Sequence, residues 1–139
     1  MENIQFDSGV KCYRINGGGT LRFHPGDPNL YSRFLEAVDK FKELEQRFTE
    51  HLRQEELLQC MTGADREMKQ LLGWVFGEEN DFDALLGGVN LLAVADNGER
   101  VITNLLLALE PVLTEGAKRC ARLKTDEARA KAEERRQRQ

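Results

Sequence analysis

The sequence predicts an α+β protein that is mostly α: an N-terminal β-hairpin followed by a long helix and a small helical bundle. Three observations carry this. Two short alternating stretches flank Asn16-Gly17-Gly18-Gly19. A stretch free of Gly and Pro runs from Asn29 to beyond Leu58. After Met61, apolar residues recur every three or four positions. The length of 139 residues suits one domain.

The hairpin is placed at 4–24. Lys11, Tyr13 and Ile15 alternate with Val10, Cys12 and Arg14, and Thr20 to His24 follow the glycines. Asn-Gly and Gly-Gly supply the positive φ values that tight hairpin turns demand. Period-2 spacing puts Tyr13 and Ile15 on one face, and Leu21 and Phe23 on one face of the second strand. Ile4 and Phe6 extend the first strand past a bend at Ser8-Gly9. A lone hairpin is marginal in water, so it must pack on the helix that follows.

That helix is expected over 28–58. Asp27 is an N-cap and Pro28 fits the first helical position, where its missing N–H costs nothing. Phe34, Phe41 and Phe48 fall seven apart, and Leu30, Ala37 and Leu44 complete the seam. Roughly 30 residues is long against a usual mean of about 11–12, so the dry face needs a partner along its length. The aromatic stripe reads as core or as a self-association seam.

A helical half is expected over 62–117. Thr62 and Asp65 suggest a new helix start, with Asp in place of the usual Glu of a capping box. Met61, Ala64, Met68, Leu71, Leu72, Val75 and Phe76 keep helical spacing, Trp74 sits at the stripe's edge, and Gly77 suits a C-cap. Phe82 to Leu86 reads as a short helix closed by Gly87-Gly88. Over 89–95, periodicity does not separate strand from buried helix, and Asn97-Gly98 could close a second hairpin. We favour a helix capped near Asn90, or a turn at Asn97-Gly98 that feeds the next helix. That helix carries Val101, Leu105, Leu109, Val112 and Leu113; Pro111 should kink or restart it, and Gly116 weakens it.

Charge divides the chain. Residues 118–139 hold nine basic and four acidic residues, and the preceding part holds eleven and twenty. The body is therefore acidic and the tail basic. An acidic body argues against wrapping nucleic acid, because neutralising phosphates needs clustered Lys and Arg. The tail favours helix but has no large apolar residue after Leu123, so it reads as a solvated, frayed extension.

Candidate chemistry is sparse. Gly17-Gly18-Gly19 lacks a P-loop's Lys and precedes a strand. Cys12, Cys60 and Cys120 with His24 and His51 show no ligand spacing, and Cys12 and His24 read as half-buried structural residues. The odd cysteine count favours a reducing compartment. Asn80, Asp81 and Asp83 lack the spacing of a calcium loop. No catalytic residue, metal or cofactor is predicted. No apolar run approaches the roughly 20 residues of a membrane span, and Met1 to Phe6 has no signal-like stretch.

Two stretches resemble small phage and prophage tail-assembly chaperones of Gram-positive siphophage tail modules. The first is Tyr13-Arg14-Ile15-Asn16-Gly17 leading to Leu21-Arg22-Phe23-His24-Pro25-Gly26-Asp27, then the charged helix. The second is Trp74-Val75-Phe76-Gly77-Glu78 through Phe82 and Leu85-Leu86-Gly87-Gly88 to Asn90-Leu91. Glu79-Asn80 stands where such sequences carry Gly, and Asp96-Asn97-Gly98 departs from their last helix. The resemblance spans about residues 10–115. It implies a non-enzymatic protein of the bacterial host cytoplasm that holds helical segments of a tape-measure protein soluble. Phe34, Phe41, Leu44, Phe48 and Trp74 are then the expected partner-binding residues, with homo-oligomerisation along the same stripe. A self-assembling minor tail or head-completion protein is the second expectation. A nucleic-acid-associated regulator acting through the tail is the third.

Overall fold

A computed structural model describes residues 1–47 and 53–138. Strands β1 (Lys11–Arg14) and β2 (Thr20–Phe23) form an antiparallel hairpin. Helices α1 (Pro28–Gln46), α2 (Gln54–Phe76), α3 (Phe82–Leu85) and α4 (Val101–Gln137) follow. The fold is α+β and mostly α.

The hairpin forms as its turn chemistry predicts. Asn16 and Gly17 both take positive φ, 49° and 72°, and the Gly18 N–H donates to the Ile15 carbonyl at 2.8 Å. Tyr13 faces Leu21, and Lys11 faces Phe23. Leu21 and Phe23 are buried, with Tyr13 and Ile15 packed against them. Aromatic contacts then run inward. Tyr13 stacks on Phe23 at 4.8 Å, Phe23 meets Phe76 edge-on at 4.9 Å, and Phe76 touches Phe82 at 5.6 Å. The strand is shorter than expected, since residues 4–10 pair with nothing and Ile4 and Phe6 are exposed.

The single helix expected over 28–58 is two. Asp27 caps α1 through the Asn29 N–H, as predicted. Yet α1 ends at Gln46, and Arg53 is extended before α2 begins. Pairings reverse along the two helices: Arg33 reaches Val75, Lys40 lies over Trp74, and Arg47 faces Glu67. The helices are therefore antiparallel. Folding back buries Phe34, Ala37, Phe41 and Leu44 with Ala64, Met68, Leu72 and Val75, whereas one straight helix would leave its far half unpartnered. Thr62 is accordingly no helix start. It lies inside α2 and its hydroxyl donates to the Leu58 carbonyl.

The 89–95 stretch is neither a full strand nor a helix, although Val94 makes an isolated antiparallel bridge to Arg100 across the Asn97-Gly98 turn. Leu91 and Leu92 are fully buried in a loop, whose backbone is satisfied partly by main-chain bonds, with the Ile102 N–H donating to Leu91 and the Val101 N–H to Ala93, and partly by side chains. Asp65 accepts from the Leu91 N–H at 2.8 Å, and Asn90 accepts from the Leu92 N–H at 2.8 Å. Arg100 donates to the Leu92 carbonyl at 2.6 Å. The turn at Asn97-Gly98 forms, with the Gly98 N–H donating to Ala95.

α4 then runs unbroken for 37 residues, about 55 Å at 1.5 Å per residue. Pro111 neither stops nor restarts it. The residue whose carbonyl loses its donor, Leu107, is exposed. Ile102, Leu109 and Leu113 are buried in the core. From Lys118 onward the described side chains are exposed, and the tail expected to fray is helical to Gln137.

Candidate partner-binding site

The residues expected to bind a partner fall into three groups. Phe34, Phe41 and Leu44 are core, exposed by only 5%, 2% and 4%. They pack within this chain, which is the core alternative of the two readings of the stripe. Helical periodicity showed that the face is dry, but not that α2 covers it. Phe48 lies outside the described residues. Among the described candidates Trp74 alone stands at the surface, 42% exposed, with the Lys40 ammonium 5.8 Å from its ring centre.

A different apolar surface is open. Where the chain leaves the hairpin, Pro25, Pro28, Tyr31 and Leu35 line a groove against Ala117, Cys120 and Ala121 of α4. Its base is a close backbone approach. The Gly26 N–H donates to His24 Nδ1 at 3.0 Å, which holds the turn. Gly116 lies directly on that turn. A Cβ there would overlap the Pro25 carbonyl oxygen and stand 2.9 Å from the Gly26 nitrogen. Gly116, read in sequence as a weak point of the helix, is what lets α4 reach this position.

Buried and half-buried polar side chains tie β2, α1 and α3 to α2. Asn80, 6% exposed, accepts from the Arg22 N–H and donates to the Arg22 and Phe76 carbonyls, all at 2.9–3.0 Å. It binds the outer edge of β2 as a third strand would. Arg33 of α1 donates twice to the Val75 carbonyl, at 3.0 and 3.2 Å. Lys69 bridges Asp65 at 2.9 Å and Asp83 at 2.6 Å. Burial lowers the Lys69 pKa, but the hydrogen bonds from Asp83 and Asp65 and the charges of both outweigh it, so the net shift is upward. Sequence reasoning found none of these roles. Their only sequence signal is an Asn or a charge at an otherwise apolar helical position, which does not name a partner.

The cysteine and histidine expectation needs correction in part. His24 is half-buried as expected, but Cys12, which pairs across the hairpin with Arg22, is exposed, and all three cysteines are free and exposed. Among the described residues no group of three His, Cys, Asp or Glu side chains stands together as ligands, and no helix is long and apolar enough to cross a membrane. No protein-family model, curated protein or solved structure matches the chain.

Proposed function

We propose that the protein is a non-enzymatic tail-assembly chaperone of a phage or prophage, acting in the host cytoplasm on helical segments of the tape-measure protein. The observation that carries this reading is the open groove of Pro25, Pro28, Tyr31, Leu35, Ala117 and Ala121. An apolar trough beside a long helix suits an amphipathic client helix laid into it. The small Ala117 and Ala121 side chains let such a helix approach closely. The hairpin and the Trp74–Leu91 stretch that resemble such chaperones add independent support. The acidic, charged exterior would keep a loaded complex in solution.

The test is co-expression with the tape-measure protein encoded beside this chain. Soluble yield and co-purification should rise, and Leu35→Glu with Ala121→Glu should abolish the gain while leaving the circular dichroism spectrum unchanged. An unaltered yield with the unmodified chain refutes the reading. The second reading, a self-assembling minor tail or head-completion protein, draws support from the protruding half of α4. Recovery of the protein in purified particles would favour it over a chaperone.

A further inference from the structure

The protruding part of α4 and the outer face of α1 carry complementary charges, most of them unpaired among the described residues. Opposite its buried side, α1 presents Glu36, Asp39 and Glu43, all exposed. The protruding segment of α4 presents Arg122, Arg129 and Arg136 on one face, spaced by seven. Arg122 pairs with Glu115 at 2.9 Å. Among the described residues Arg129, Arg136, Glu36, Asp39 and Glu43 make no ion pair.

We propose that the basic face of α4 in one copy lies antiparallel on the acidic face of α1 in a second copy, with Arg129 on Glu43 and Arg136 on Glu36. The spacing fits. Seven residues separate each pair along its own helix, about 10.5 Å in both cases. The flanks choose the direction. On helical wheels, Lys40 borders the acidic row on the same side as Asp126 and Glu133 border the basic row, and antiparallel helices bring like sides together. In a parallel arrangement Lys40 would meet the alanine side instead.

A second copy suits this face better than nucleic acid does. Asp126, Glu127, Glu133 and Glu134 interrupt the basic charge, and no aromatic residue after Lys118 offers a stacking surface. The same acidic residues are assets against a mixed-charge helix. Exposed pairs of this kind are individually weak and screened by salt, so the contact is reversible and salt-sensitive.

Sedimentation velocity of the full chain tests the proposal. Association should rise with protein concentration at about 20 mM salt and weaken at least tenfold at about 300 mM, as the Debye length shortens. Arg129→Glu with Arg136→Glu should abolish it, as should Glu36→Arg with Glu43→Arg. Mixing these two charge-reversed proteins should restore association. All the substituted positions are exposed, and circular dichroism of each variant serves to check that it is folded. A chain that stays monomeric at low salt overturns the proposal. So does association that survives either reversal, or reversal that abolishes retention on a DNA duplex while leaving self-association intact.

Discussion

Three glycines lie inside helices, and the structure predicts opposite outcomes for replacing them. Gly63 and Gly73 sit within α2, and a Cβ at either would meet nothing within 4 Å. Replacing Gly with Ala in a helix interior relieves backbone entropy, so each substitution should stabilise by up to about 1 kcal/mol. Gly116 offers the same gain from propensity, but its Cβ would overlap the Pro25 carbonyl oxygen and stand 2.9 Å from the Gly26 nitrogen. Both are backbone atoms and have no rotamer to yield. Relief requires α4 to lift from the turn, which loosens Leu113 in the core. Overpacking of this kind costs about 1–3 kcal/mol, which exceeds the propensity gain. Gly116→Ala should therefore destabilise by up to about 2 kcal/mol net. Urea unfolding followed by circular dichroism at 222 nm measures all three. A Gly116→Ala protein as stable as Gly73→Ala would refute the close approach, and with it the base of the groove.

Asn80→Ala removes three hydrogen bonds and leaves the Arg22 and Phe76 backbone groups unpartnered, so it should cost about 1–3 kcal/mol in the same unfolding assay. Lys69 has a raised folded pKa, so its contribution to stability is complete below its usual value of 10.5 and is lost as pH climbs through the higher folded value. Unfolding free energy should thus fall more steeply above pH 10.5 in the natural chain than in Lys69→Met. Leu35→Glu, at a position 50% exposed, should change stability by no more than about 0.5 kcal/mol, which separates loss of client binding from loss of fold.

Local chemistry was legible in the residues themselves. Asn16-Gly17 announced the turn, Asp27-Pro28 the start of α1, Gly77 the end of α2, and Asn97-Gly98 the turn before α4. Each signal rests on a backbone geometry that few residues adopt. The reversal between α1 and α2 was not legible, because no Gly or Pro stands between Asn29 and Thr62 and the apolar rhythm continues through Phe48 and Leu52. What separates the helices is the burial gained when Met68 and Leu72 pack on the Phe34–Phe41 face, a gain that appears only in three dimensions. The loop at 89–95 was ambiguous for a related reason. A buried backbone needs hydrogen bonds, and here the Asp65 and Arg100 side chains supplement a short main-chain ladder to residues 99–102. The candidate site shifted for the same cause: the aromatic stripe is covered by α2, and the groove depends on Gly116 and Pro25 meeting across most of the chain.

The side chain of Asn80 also decides in which direction the hairpin can grow. A two-stranded sheet has two open margins, and each is a template for addition of another chain's strand. On the β2 margin the amide already occupies the N–H and carbonyl of Arg22, so an incoming strand would have to displace it. On the β1 margin only the charges of Lys11 and Arg14 stand guard. The sheet is thus stoppered on one side and merely discouraged on the other. Loss of Asn80 would turn a closed margin into a nucleus for intermolecular strand pairing.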